Sequence, residues 1–304
     1  MADPLVSVVL PTWNRAAMLR EAVDSVFAQT LEDWELIVVD DGSTDGTREY
    51  LSTLPKDRIR VILHERCANP ARLRNAALVV ASGRYVALLD SDDLWDATKL
   101  ERQLADMQRE NARWSYSRVR WIDDRGAETP LPPGKRWQEC RGWILHDLLA
   151  WNAWLALPAV IVDRETLRDV GGFDASLRFH EDFDLWLRLA GRYPITMTDA
   201  VLVSVRKHPG NTWRSDHLTT LHCFIEVYDR LIADDALRVE RNTCLLRRSQ
   251  LVPQLADAYR GQGRAREAVG LLLRGLPRGA VLRHWWSSLA RSAYRWVLPR
   301  RPSS

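Results

Sequence analysis

Four short apolar runs, separated by segments of helical period, open the chain. "VSVVLP" (6–11) has the pattern of a buried strand. In "NRAAMLREAVDSVFAQ" (14–29), Met18, Leu19, Ala22, Val23, Val26 and Phe27 share one helical face, and Asn14 is placed to cap it. "WELIVVDD" (34–41) is a second strand, followed by the turn "GSTDGT" and a short helix. "RIRVILHE" (58–65) alternates as a third strand, "PARLRNAALVVAS" (70–82) is a helix, and "YVALLD" (85–90) is the fourth strand. This alternation predicts an α/β fold, a mostly parallel sheet with helices on both faces. Ligands in such sheets gather at the carboxyl ends of the strands.

The pattern then loosens. "RWSYSRVRWI" (113–122) alternates like a strand, "TPLPPGK" (129–135) is a loop, and residues 158–174 suggest strand, short helix and glycine turn. "EDFDLWLRLAGRY" (181–193) is a helix. Beyond about residue 217 the pattern is helical, and 255–276 resembles one helix-turn-helix of a tetratricopeptide-like repeat, with no second copy. The expected organisation is an α/β domain over 1–215, in a regular part at about 1–110 and a looser part at about 111–215. A helical, basic region covers 216–304.

Composition narrows the class. With 46% hydrophobic and 27% charged residues among 304, the chain has the balance of a soluble globular protein. No run of about 18 apolar residues predicts a spanning helix, and the apolar run Val6 to Leu10 ends at Pro11, too early for a secretory signal. Cys67, Cys140, Cys223 and Cys244 lie far apart without a C-x-x-C, which argues against a zinc site or disulfide framework and fits a reducing cytoplasm. The net charge of +3 hides an asymmetry: from Arg238 onward fourteen arginines face only Glu240, Asp257 and Glu267.

Three acidic clusters carry the candidate chemistry. Asp90, Asp92 and Asp93 follow a buried strand with no Lys or Arg beside them in sequence. A hard divalent cation, Mg²⁺ or Mn²⁺, would offset their repulsion and take further ligands from phosphate and water. Asp40 and Asp41 end the second strand, where a carboxylate can accept from a nucleotide base or a ribose hydroxyl. Glu181, Asp182 and Asp184 begin a helix, where the dipole favours acids; Asp182 is also placed to act as a general base on a hydroxyl.

Taken in order, "SVVLPTWNR", "VVDDGSTDGT", "LRNAAL", "VALLDSDDLW", "GGFD" and "HEDFDLWLRL" resemble the GT-A-fold glycosyltransferases of family 2 over about residues 5–210. The resemblance implies an inverting transfer of sugar from a UDP-, GDP- or dTDP-sugar to a hydroxyl of a saccharide or lipid-linked saccharide, with Mn²⁺ or Mg²⁺. It places Pro11 and Trp13 at the nucleotide, Trp13 as a stacking platform where relatives more often have Tyr or Phe. Asp41 takes the base-recognising position and Arg74 lies near the nucleotide. Asp90 and Ser91 fall at the donor diphosphate. Asp92, then Asp93, are the expected metal ligands, with His208 able to help hold metal or diphosphate. Asp182 aligns with the catalytic base, and Glu181 and Trp186 fall on the acceptor side, Trp186 and Trp213 as possible sugar-stacking rings. By analogy with the family, the work is surface polysaccharide, lipopolysaccharide or glycoconjugate assembly.

Residues 278–301 interleave Arg278, Arg283, Arg291, Arg295, Arg300 and Arg301 with Trp285, Trp286, Tyr294 and Trp296. They suit either a helix packed on the catalytic domain or an interfacial helix on anionic lipid, at the inner face of the cell membrane. No nucleic-acid recognition fold accompanies the charge. Two other functional classes remain open. A nucleotidyltransferase would need a glycine-rich basic loop after the first strand, which "PTWNRAAM" lacks; a degenerate scaffold would not need Asp41, Asp92 and Asp182.

Overall fold

In a computed structural model of the chain, residues 3–130, 139–177, 179–211, 217–233 and 240–274 are described. Two compact units divide it, 1–211 and 212–304. The first opens with β1 (Val6–Thr12), α1 (Ala16–Phe27), β2 (Trp34–Asp41), α2 (Thr47–Thr53), β3 (Ile59–His64), α3 (Pro70–Val80) and β4 (Tyr85–Leu88). It continues through β5 (Leu94–Trp95), α4 (Lys99–Arg109), β6 (Trp114–Ile122), β7 (Glu128–Thr129), α5 (Leu145–Leu149), β8 (Val160–Asp163), α6 (Arg164–Asp169), α7 (Glu181–Ala190) and β9 (Ile195–Arg206). The second unit contains α8 (His217–Ala233), α9 (Arg241–Gly261) and α10 (Ala265–Arg274), so the expected helix-turn-helix is present. The arginine-rich stretch 278–301 and Trp213 lie outside the described residues.

The sheet runs β3-β2-β1-β4-β8-β6-β9-β5, with β7 on β6. The β3-β2-β1-β4 half is parallel, and β8 enters antiparallel between β4 and β6. Alternate residues of the first strands, Val6, Val8, Leu10, Leu36, Val38, Tyr85 and Ala87, form one core with Leu19, Val23 and Val26 of α1 and Leu100, Leu104 and Met107 of α4. Helix α3 packs on β1 and β2 from the opposite side, burying Ala71, Leu73 and Ala77 outside that cluster. Strands buried on both faces read as continuous apolar runs, which is why β1, β2 and β4 stand out in the sequence.

Two local expectations change. Asn14 does not cap α1: it adopts φ 48°, accepts from the Thr44 N–H through Oδ1 at 2.8 Å and donates its own N–H to Ser43 Oγ at 2.8 Å. It ties the loop after β1 to the loop after β2. The long strand β9, which the hydrophobic pattern did not announce, lies inside the sheet between β6 and β5.

Candidate active site

The carboxyl ends of β1, β2 and β4 converge, and three loops carry the nucleotide-side residues. Asp40 and Asp41 end β2 pointing in opposite directions, as adjacent strand residues must. Asp40 is wholly buried; it accepts from the Ser43 N–H and pairs with Arg48 at 2.7 Å, so its work is structural. Asp41 accepts the Cys67 N–H at 2.7 Å and the Ala68 N–H at 3.0 Å, and pairs with Arg66. The Arg66 guanidinium lies 3.7 Å over the Trp13 ring, which is 44% exposed. Trp13, Arg66 and Asp41 thus form one open-topped group: aromatic face, cation, carboxylate. Pro11 and Ser91 are buried and present almost no side-chain surface.

The acidic triplet is not unpartnered. Asp90 pairs with Arg74 at 2.8 Å and Asp92 with Arg15 at 2.9 Å, while Asp93 accepts the Arg206 backbone N–H at 2.8 Å. His208 and Asn211 complete the cage around Asp92: His208 Nε2 lies 2.8 Å and Asn211 Nδ2 3.2 Å from Oδ2. The Gly210 N–H donates to His208 Nδ1 at 3.2 Å, which leaves the ring proton on Nε2, facing Asp92. His208 is therefore set up to orient Asp92 with a hydrogen bond. Arg206, fully buried, holds the turn from its other side: it donates to the Asp92 and Asp124 carbonyls and pairs with Glu21.

These partners separate the two neighbouring carboxyls. Burial alone would raise Asp92, but the His208 hydrogen bond and Arg15 outweigh it and hold Asp92 below the usual carboxylate range. Asp93 is pushed well above that range by burial, then by the charges of Asp92 and Asp90. Asp92 is the anion of the pair and Asp93 the inward anchor of β9. A hard divalent cation fits this donor set: an ionised Asp92 and a partly exposed Asp90, with a cation, Arg15, already drawn to Asp92.

The other half of the site hangs on α3. Asn69 donates to the Ala175 carbonyl at 3.0 Å. Asn75 both donates to the Phe173 carbonyl (2.7 Å) and accepts the Phe173 N–H (3.0 Å), clamping the "GGFD" turn. That turn uses Gly171 and Gly172 at φ 85° and 66°, where a side chain would be strained, and Asn75 Oδ1 occupies the space a Cβ at 172 would need. His180, at φ 63°, then starts α7 with Glu181 and Asp182 in its first turn. Arg74 bridges Asp90 at 2.8 Å and Glu181 at 2.5 Å from a buried position, so it joins the β4 turn to α7. Burial raises the Asp182 carboxyl; the Phe183 N–H and Arg74 pull it down and Asp90 pushes it up, leaving it above the ordinary value. An elevated carboxyl beside the acidic turn, partly open to solvent, has the character of a general base.

Two acceptor-side expectations do not match this geometry. Trp186 is 2% exposed and stacks on Trp114 at 6.0 Å, so its ring faces are inside the protein and not offered to a sugar. Glu181 is buried and engaged by Arg74. Arg74, expected beside the nucleotide, instead holds two acidic segments together. Sequence reading missed Arg15, Arg66 and Asn211 because nothing local marks a side chain whose partner arrives from another strand.

Comparison with known proteins places the chain. Residues 7–157 match the model for glycosyl transferase family 2. The chain is 33% identical over 189 residues to the UDP-Glc:alpha-D-GlcNAc-diphosphoundecaprenol beta-1,3-glucosyltransferase WfgD of Escherichia coli, covering 62% of this chain and 71% of that one. It is 37% identical over 188 residues to the putative teichuronic acid biosynthesis glycosyltransferase TuaG of Bacillus subtilis, covering 61% and 72%. Among solved structures, residues 1–349 of S. aureus TarS with UDP-GlcNAc superimpose with a TM-score of 0.71 at 18% identity, covering 97% of this chain and 93% of that one. The mannosyltransferase PcManGT of Pyrobaculum calidifontis, in complex with GDP-Man and Mn2+, gives 0.59 at 21% identity, covering 97% and 87%. The architecture is the GT-A fold, and the chain belongs to glycosyl transferase family 2: it is a glycosyltransferase.

Proposed function

We propose that this enzyme transfers a sugar, with inversion, from a UDP-sugar to a hydroxyl of a lipid-linked saccharide, in the assembly of a surface polysaccharide. The observation that carries the reading is a pair of unlike acidic groups on two segments that one arginine joins through their neighbours Asp90 and Glu181. Asp92 is kept ionised at the turn after β4, Asp182 is raised at the start of α7, and Arg74 fixes the spacing between the two segments. Inversion requires the base and the leaving nucleotide on opposite faces of the sugar. Supplying them from different parts of the chain meets that requirement.

Trp13 stacks on the base and Asp41 accepts its N–H, with Arg66 released toward the ribose or phosphates. Asp92, with Asp90, would hold Mn²⁺ or Mg²⁺, which when bound neutralises the departing diphosphate. His208 and Asn211 keep Asp92 oriented throughout. Asp182 accepts the proton of the acceptor hydroxyl as that oxygen attacks the anomeric carbon and the diphosphate oxygen leaves. The raised carboxyl fits this task, since a base works best with a pKa near the working pH. Two relatives support the donor and the stereochemistry: WfgD and WfaP of Escherichia coli carry UDP-Glc and a beta-1,3 linkage in their names, and an α-linked donor yields a β-product only by inversion.

No helix among the described residues is long and apolar enough to cross a membrane. The membrane-borne acceptor would be met from the surface. The test is a panel of UDP-, GDP- and dTDP-sugars with a lipid-diphosphate-linked saccharide, with Mn²⁺ or chelator, and the anomeric configuration of the product read by NMR. A β-product from a UDP-α-sugar is expected; a retained configuration would overturn the mechanism.

A further inference from the structure

The scattered cysteines argued against a thiolate metal site, but the sheet register builds a place for one. Strands β2 and β3 pair in parallel with Asp41 directly opposite His64. Three residues on, the chain folds back so that the Cys67 N–H donates to Asp41 Oδ1 at 2.7 Å, which carries the thiol to the same spot. One ligand atom from each of Asp41, His64 and Cys67 then lies within 4.8 Å of the others. Among the described residues this is the one such group of three His, Cys, Asp or Glu side chains.

Three further observations favour an ion there. His64 Nδ1 sits 2.5 Å from the Glu65 carbonyl, which holds the ring proton on Nδ1 and leaves Nε2 as the nitrogen with a lone pair. Asp41, itself buried, already draws a cation, Arg66, whose side chain is 40% exposed and has water to turn to when another cation takes its place. The donors are carboxylate, imidazole and thiol, the mix that selects a thiophilic divalent ion over Mg²⁺. Bond lengths of about 2.0–2.3 Å put tetrahedral ligand atoms about 3.3–3.8 Å apart, so adjustments of roughly 1 Å by the half-buried His64 and Cys67 close the site.

We infer that Asp41, His64 and Cys67 bind a thiophilic divalent cation of the zinc type, in place of Arg66. The Cys67 thiol loses its proton to solvent as the metal–sulfur bond forms, and water takes the fourth position. Resting on the reading of Asp41 as the base-recognising carboxylate, the ion and the donor nucleotide exclude one another. Zinc then acts as an inhibitor competitive with the sugar nucleotide, at a site separate from the hard-cation ligand Asp92.

Cobalt(II) is the probe, added to the full chain. Wild-type protein should develop a thiolate-to-cobalt charge-transfer band in the near ultraviolet, bleached by Zn²⁺, lost in Cys67→Ser and weakened in His64→Gln. Circular dichroism melts verify that both variants fold. The acidic cluster around Asp92 holds no sulfur and cannot give this band. No band in the wild type, or a band that survives Cys67→Ser, would overturn the site. UDP should erase the band; a band indifferent to UDP, in a protein that binds UDP, retires the role of Asp41 and leaves the metal site standing.

Discussion

Replacing Arg74 by Met removes the cation that joins the turn after β4 to the start of α7. Arg74 is 5% exposed, 2.8 Å from Asp90 and 2.5 Å from Glu181, and Glu181 is itself buried. Deleting one partner of a buried pair leaves an uncompensated charge and costs about 3–5 kcal/mol. For a unit of this size each kcal/mol is worth about 2–4 °C, so the melting temperature at pH 8 should fall by about 10 °C. The loss depends on pH, with a definite sign. Burial raises the Glu181 carboxyl, Arg74 opposes that rise, and Asp182 adds to it. A raised carboxyl contributes stability that is complete below its unfolded value and disappears as pH climbs through the folded one. Without Arg74 the folded value climbs further, so the extra destabilisation develops above about pH 4.3, the unfolded glutamate value, and is smaller at pH 5 than at pH 8. Adding Glu181→Gln removes the orphaned charge and should restore at least half of the loss at pH 8. Thermal unfolding at both pH values reads all three proteins. The same variant should shift the acidic limb of the kcat/KM profile upward, because Asp182 also loses a cation that lowers it. A drop of under 3 °C, equal at pH 5 and pH 8 and unrelieved by Glu181→Gln, would refute the reasoning.

Other outcomes follow from the same geometry. Asp182→Asn should cut the transfer rate by about 10²–10⁴-fold, while its melting temperature at pH 8 holds or rises, since a raised carboxyl is a burden there. Trp186→Ala should destabilise by about 3–5 kcal/mol in denaturant titration without a selective rise in acceptor KM, because the ring packs on Trp114. Lys99 is fully buried, its Nζ has no hydrogen-bond partner among the described residues, and burial depresses its ammonium well below the usual value; the Trp95 ring lies 4.3 Å away. Lys99→Met should therefore raise the melting temperature at pH 7, and the gain should shrink as pH approaches the unfolded lysine value of about 10.4.

The doubly buried strands were legible because an apolar run of four to eight residues leaves little else to be. β9 was not, since Thr196, Thr198, Asp199 and Ser204 interrupt its apolar positions, and two of them are satisfied by remote acids: Thr198 donates to Asp106 and Thr196 to Glu110. The acidic turn was legible as a site but not in its electrostatics. Arg74 is 16 residues from Asp90 and Arg206 is 113 from Asp93, and such pairings come from topology, which local patterning does not encode. The same limit hid the division of labour between Asp40 and Asp41, adjacent in sequence and opposite in direction. Trp186 looked like a platform because a helix of mixed Leu and Trp does not reveal which face turns inward.

The role of Asp92 is open to direct measurement by isothermal titration of UDP into wild type and Asp92→Asn, each with Mn²⁺ and with chelator. In the wild type, Mn²⁺ should tighten binding at least tenfold, as a cation displaces Arg15 from the carboxylate and meets the diphosphate; in Asp92→Asn that gain should vanish while weak, cation-independent binding through Trp13 and Asp41 persists. Equal affinity with and without chelator in the wild type would contradict the account.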